Sequence, residues 1–257
     1  MFDKYFEVFL ADTAEAKKIH YQIRYQVYCE EMGFEDKSTF LKNEEWDKWD
    51  HCSTHFIVRH KYTGQWVGAM RLVSPKNNQL PLNEHIALKD RQDNTIHINS
   101  SNVELSRLCL IKEIRRRSTD TTPPLGLNKF QAKTQEEQSS EIAEAIYKDR
   151  RINLSIIWGL FRAAADYSAQ NNINRWFFLT NKALARVIGR EGFLLHPAGE
   201  GCEHAGKRYP FTMELDEIFA REPQSDMAAK VKTSSYQLFS EYLHNEKNHI
   251  NSMSRYA

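Results

Sequence analysis

An α/β domain with one mixed central sheet and helices on both faces is what the pattern of this chain predicts. Three observations carry that expectation. Stretches rich in β-branched and aromatic residues recur along the chain, separated by segments whose apolar residues fall every three or four positions. Their order is strand, helix, several strands, helix, strand, helix, strand, and no internal repeat interrupts it. With 257 residues, 41% hydrophobic and 27% charged, the chain has the composition of an ordinary globular protein.

The totals also exclude. A net charge of +1 offers nothing global for nucleic acid or a membrane, so any electrostatic steering must come from local patches. The apolar runs fall short of the ~20 residues that span a bilayer. Met1-Phe2-Asp3-Lys4-Tyr5 lacks a basic region followed by an apolar core, so no signal peptide is expected. Four scattered cysteines (Cys29, Cys52, Cys109, Cys202) read as reduced thiols of a cytoplasmic protein, with no paired spacing for a metal.

In order, Tyr5 to Ala11 is a first strand. Asp12 with Glu15 three residues on resembles a capping box and starts a helix running to about Glu31. Ile19, Ile23 and Val27 make its buried stripe, with Arg24, Tyr28 and Glu31 on a neighbouring one. From pattern alone Arg24 reads as a solvated helix cation. Gly33 ends the helix, and Phe34 leads into a polar stretch reaching Glu45-Trp46-Asp47-Lys48-Trp49-Asp50-His51. Tryptophans interleaved with carboxylates either anchor a long connection or line a site.

Thr54 to Arg59 and Gln65 to Val73 form a hairpin about Tyr62-Thr63-Gly64, with Arg71 inside its second strand. Val103 to Ile111 is the next strand. Side-chain alternation puts Glu104 and Ser106 on one face and Leu105 and Arg107 on the other. An ionised carboxylate there costs several kcal/mol unless it is paired or put to use. Either an orienting ion pair or a chemical role accounts for Glu104.

Lys112 to Arg150 is polar, with few residues to bury. Its Arg115-Arg116-Arg117 reads as a solvated charge run or as a docking patch for an acidic partner. A helix from Arg151 to about Gln170, a strand Arg175–Leu179, a helix Asn181–Arg190 and a strand Tyr209–Leu215 complete the core. His196 and His204 flank a glycine-bearing turn and read as polar surface. The chain thus divides into one domain over residues 1–215, with a polar insertion at 112–150, and a helical tail over 216–257 whose pattern uses Met227, Val231, Leu238 and Tyr242.

Arg24 with Tyr28, Glu45-x-Asp47-x-x-Asp50, Gly68-x-x-Arg71-Leu72 and Glu104-Leu105-Ser106-Arg107 follow one another in an order and spacing that resembles the acyl-homoserine-lactone synthases and the N-acyl amino acid synthases, a branch of the GNAT acyltransferase fold. The likeness is nearest to the acyltransferases that accompany exosortase (PEP-CTERM) systems, which share the polar excursion and an ending similar to Gly189-Arg190-Glu191-Gly192-Phe193. The quorum-signal synthases have Phe and Trp where this chain has Tyr28 and Phe34, a departure that bears on lactone formation.

The resemblance implies an N-acyltransferase with no bound cofactor and no metal. Its donor would be an acyl-phosphopantetheine thioester on acyl carrier protein, with acyl-CoA as the alternative, and its acceptor a small amine or amino acid. A non-catalytic module binding carrier protein or lipid is the competing reading. Lys112 to Arg150 holds a single glycine, Gly126, where most GNAT enzymes carry a glycine-rich loop for coenzyme A pyrophosphate. An acidic carrier would give Arg115, Arg116 and Arg117 a partner.

Glu104 is the expected general base, with its pKa raised by partial burial, and Arg107 its companion. Backbone N–H groups around Leu108, Cys109 and Leu110 are candidate oxyanion donors. Arg24, Tyr28, Phe34, Asp47, Asp50 and Arg71 would line the acceptor side, with the arginines ordering the loop through Asp47 and Asp50. Cys109 reads as a core thiol rather than a nucleophile. Acceptor identity, acyl length, oligomeric state and membrane contact by the tail are left open by the sequence.

Overall fold

The computed structural model describes residues 2–90, 92, 94–115, 152–190, 192–216 and 235–253. A short helix α1 (Phe2–Tyr5) leads into strand β1 (Phe6–Leu10), and helix α2 (Ala14–Arg24) follows. Strands β2 (Ser53–His60), β3 (Trp66–Val73) and β4 (Asn102–Leu110) come next. Helix α3 (Ile152–Gln170), strand β5 (Arg175–Thr180) and helix α4 (Lys182–Arg190) follow. The short β6 (His196–Pro197) and β7 (Cys202–Glu203) precede β8 (Lys207–Glu214), β9 (Gln237–Leu238) and helix α5 (Phe239–Met253).

Among the described residues the strands form one mixed sheet in the order β6-β8-β5-β4-β3-β2-β1-β9, with β7 paired to β8. Neighbours run antiparallel except β4 with β5 and β1 with β9, which are parallel. The parallel step is where the polar excursion and α3 intervene, since a parallel connection must cross over the sheet. Phe9, Phe56, Ile57, Met70, Trp176 and the small residues of α3 (Ala163, Ala164) are fully buried in the main core. Gly159 has no Cβ because the Phe2 ring occupies that place, with ring atoms 2.4–2.7 Å from where one would sit.

Several expectations need correction. Thr13, not Asp12, caps α2, its hydroxyl accepting from the Ala16 N–H at 3.1 Å. Asp12 instead accepts from the Ser240 backbone N–H at 3.0 Å and from the Ser240 hydroxyl, tying the start of α5 to the end of β1. The helix does not run regularly to Glu31. From Tyr25 to Glu31 it widens into a π-helix, which shifts the side chains relative to a 3.6-residue repeat.

Leu238 belongs to β9 and Tyr242 packs on Phe9, while Met227 and Val231 lie outside the described residues. The strand edge at β1 is thereby covered, with the Arg59 guanidinium 4.4 Å from the Tyr242 ring centre.

The largest departure is in β4. Ala69 pairs with Cys109 and Arg71 with Ser106, so three steps on β4 oppose two on β3. This β-bulge sits at Arg107, whose φ of +52° is a left-handed conformation that costs a non-glycine residue about 1–2 kcal/mol. Strict alternation fails there, and Ser106 and Arg107 both reach one charged cluster. Just beyond, Gly68 lets β3 approach closely, because a Cβ would lie 2.6 Å from Leu110 Cδ2 and 3.0 Å from the Cys109 carbonyl.

Candidate active site

β4 and β5 pair only through Asn102–Glu104 and Arg175–Phe177. Past Glu104 the two strands part: β4 continues on β3 alone and β5 on β8 alone. Ser106, Arg107 and Leu108 are half-exposed between two buried stretches of the same central strand. A bulge, a parted strand pair and solvent contact in the middle of a sheet make an opening where an extended ligand can lie against backbone.

Glu104 borders this opening. It is 4% exposed and its Oε2 accepts from the backbone N–H of Leu82 at 2.7 Å. Leu82 belongs to a one-turn 3₁₀ helix (Pro81–Glu84), held down by Leu80, Leu82, Leu88 and Ile98 packed with Phe177 and Ala198. Among the described residues no cation lies within ion-pair distance of Glu104. Burial pushes its pKa up to about 8, against the lowering effect of the Leu82 N–H and of Arg71 and Arg107 farther off. A carboxyl of that kind exchanges its proton in the range where α-amines do.

Beside it stands a network of three arginines and four carboxylates. Arg24, fully buried, bonds through Nε to Glu45 and through Nη1 to Asp50 Oδ1 at 2.7 Å. The solvated-cation reading of Arg24 is therefore overturned, because its partners come from a loop that the helix pattern does not reveal. Arg71 donates from Nη1 and Nη2 to Asp47, both at 2.8 Å, from Nη1 to Asp50 at 2.7 Å and from Nε to Ser106 at 3.1 Å. Arg107 reaches Glu45 and Asp47, each at 3.2 Å, with Glu35 at 3.5 Å.

Burial opposes charge throughout this cluster. The His55 ring and the Arg24 and Arg71 guanidiniums nevertheless hold Asp50 far below the usual carboxylate range, and Arg71 does the same more mildly for Asp47. Glu45 and Asp50 keep Arg24 firmly protonated.

Tyr28 donates from its hydroxyl to the Leu108 carbonyl at 3.2 Å, and the Arg107 guanidinium lies 5.5 Å from its ring centre. Phe34 is 45% exposed, and its backbone N–H donates to the Tyr28 carbonyl at 2.8 Å. Cys109 and Leu110 are buried, and burial pushes the Cys109 thiol up to about 12, which keeps it an inert core group. Arg115 is ion-paired to Glu31 within the fold. Arg116 and Arg117 lie outside the described residues, as does most of the polar insertion at 112–150. Among the described residues no cluster of His, Cys, Asp or Glu could hold a metal ion.

Four contributors went unassigned in the sequence: Glu45, His55, Leu82 and Glu35. Glu45 stood inside a quoted motif. His55 is register partner to Arg71, a relation that only strand pairing discloses.

Residues 23–122 match the family model of the acetyltransferase (GNAT) domain, a segment that contains Arg24, Asp50, Arg71, Glu104 and Arg107. Among solved structures, the CoA-dependent acyl-homoserine lactone synthase BjaI with SAM and isopentyl-CoA superposes with a TM-score of 0.54 at 13% identity, covering 88% of this chain and 98% of that one. This is the GNAT acyltransferase fold. The AHL synthase LasI matches with a TM-score of 0.51 at 16% identity, over 82% of this chain and 90% of that one. TofI, in a ternary complex with an inhibitor and MTA, gives a TM-score of 0.51 at 15% identity over 88% and 96%. No curated protein matches the chain. No described helix is long and apolar enough to cross a membrane.

Proposed function

We propose that this acyltransferase moves a fatty acyl group from a phosphopantetheine thioester to the amine of an amino acid or similar small molecule. The observation that carries the reading is the juxtaposition in β4 of a solvent-reached bulge, where β5 has moved away, with a buried carboxyl that has no cation partner among the described residues. In this mechanism the neutral amine attacks the thioester carbonyl. Backbone N–H groups near Leu108 to Leu110 take the oxyanion, one such donor being worth roughly 3 kcal/mol. Glu104, in its carboxylate form, receives the amine proton directly or through a water. The C–S bond breaks as the C–N bond is completed, and the proton passes on to the departing thiolate.

The arginine–carboxylate network orders the loop carrying Glu45, Asp47 and Asp50 as the wall on the acceptor side. Because the described contacts already engage Arg24, Arg71 and Arg107, the loop is pre-organised rather than waiting for a substrate carboxylate. Tyr28 and Phe34, which stand where the quorum-signal synthases have Phe and Trp, favour a product that is an N-acyl amine rather than a lactone in this reading.

Acyl carrier protein is the donor we favour, since the segment after β4 holds one glycine, Gly126, in place of a pyrophosphate-binding loop. The superposition on a CoA-dependent synthase supports the second reading, acyl-CoA. Incubating the chain with hexadecanoyl carrier protein or hexadecanoyl-CoA and mixed amino acids, followed by mass spectrometry, tests both. An N-acyl product from the carrier alone upholds the first reading, one from coenzyme A the second. Free thiol without an acylated amine rejects amine transfer.

A further inference from the structure

Asp50 Oδ1 accepts from Arg24 Nη1 and Arg71 Nη1, each at 2.7 Å, and lies 3.0 Å from Nε2 of His55. Its Oδ2 accepts from the Asp47 backbone N–H at 2.7 Å. Between two guanidiniums Asp50 is ionised and has no proton to offer, so the imidazole must be the donor. His55 is therefore the Nε2–H tautomer, and its buried Nδ1 has no partner among the described residues.

Behind it His20 repeats the arrangement. Its Nε2 lies 3.3 Å from the Met70 carbonyl, again an acceptor only, and its buried Nδ1 likewise has no partner among the described residues. The two rings meet edge to face with centres 4.6 Å apart, and neither residue is more than 1% exposed.

We infer that His55 is a positioning residue for the acceptor side of the site: it donates to Asp50, and so fixes the carboxylate that holds Arg71 against the β4 bulge. The relay runs from His20 on α2 through His55 on β2 and Asp50 in the loop to Arg71 on β3. It ends at Ser106, two residues from Glu104. A neutral imidazole suits the task because it supplies an N–H without adding a fourth cation to the cluster.

The groups facing His55 are His20, Tyr21 and Arg24 of α2, Asp50 of the loop and Arg71 of β3. Burial lowers the pKa of His55, opposed by Asp50 and reinforced by Arg24 and Arg71. Protonation would leave an Nδ1–H buried without an acceptor.

The catalytic half of this inference rests on the function proposed above, whereas the tautomer and the anchoring of Arg71 do not. Nitrogen and carbon NMR of labelled histidine in the full chain should show His55 as the neutral Nε2–H form between about pH 6 and 8. His55→Gln, whose amide N–H can replace the imidazole donor, should keep the Arg71 Nε–H resonance in place. His55→Leu should displace or broaden that resonance while the buried Trp176 indole N–H, as a control for the fold, stays unchanged.

In the hexadecanoyl carrier assay, His55→Leu should raise the acceptor KM about tenfold with a smaller effect on kcat, a modest part of the loss that a ~1 Å misplacement causes. His55→Gln should restore most of it. An Nδ1–H tautomer, an Arg71 signal indifferent to His55→Leu, or a Gln variant as impaired as Leu would each overturn the inference. Absence of turnover in the wild type would reject the proposed reaction, and the resonances of Arg71 and His55 would still decide the anchoring.

Discussion

The backbone N–H of Leu82 donates to Glu104 Oε2 across 2.7 Å, and no cation shares that carboxyl among the described residues. The two belong to segments that meet only because the 3₁₀ turn at Pro81–Glu84 is pressed onto Phe177 by its own small apolar cluster. A single neutral donor is too little to keep a buried carboxylate ionised at neutral pH. It is enough to fix the group's direction.

The pH dependence of stability follows from this. A carboxyl whose folded-state pKa is raised to about 8 binds a proton that the unfolded chain, ionising near 4.3, has released. Its contribution is complete below the unfolded pKa and is lost as pH rises through the folded one. Between about pH 7 and pH 9 the wild type should lose about 1.4 kcal/mol that Glu104→Gln does not lose. Paired denaturant titrations at the two pH values measure the difference. An equal loss in both chains would show that Glu104 is ionised throughout.

Arg24 gives the second expectation. Removing one partner of a buried ion pair typically costs about 3–5 kcal/mol, because the remaining charges stay buried. Arg24→Met should therefore destabilise the fold by that order, since Glu45 and Asp50 are 1% and 4% exposed. Adding Glu45→Gln to that variant should recover part of the loss. Urea unfolding of the single and double variants checks both points, and a double variant less stable than the single would refute the pairing.

At Arg107 the backbone and the side chain can be separated. Both Arg107→Gly and Arg107→Ala lose the contacts to Glu45 and Asp47, but only glycine relieves the left-handed φ of +52°. The glycine variant should be more stable than the alanine variant by about 1 kcal/mol, by thermal or chemical unfolding. Equal stabilities would mean that the bulge relaxes when the side chain is lost.

Much of the layout was legible in the sequence because it depends on local pattern. The strands containing Phe56, Met70, Leu105 and Phe177 and the helices containing Phe161 and Ile188 follow from apolar periodicity and fall close to where periodicity puts them. The charged positions Arg71, Glu104 and Arg107 also stood out, since core-type strands rarely carry them, whereas Arg24, Asp47 and Asp50 were singled out only through the resemblance to a family.

What the sequence could not disclose depends on chain geometry. A bulge at Arg107 adds one residue to one strand and leaves no mark in a hydrophobic pattern. The π-widening after Arg24 and the register of His55 opposite Arg71 are likewise fixed by packing across elements. Arg24 shows the consequence: on its own helix it looks solvated, and only the loop at Glu45 and Asp50 buries it.

Glu104 as the acceptor of the attacking amine's proton is the step on which the proposed reaction turns. It is tested most directly by comparing N-acyl amine formation by wild type and Glu104→Gln from hexadecanoyl carrier protein, with donor binding measured in parallel. Donor binding should be unchanged, turnover should fall at least about a hundredfold, and the wild-type rate should rise with pH toward a plateau above about 8, the pKa of the buried carboxyl. Equal turnover by the two chains over that pH range would contradict that role of Glu104.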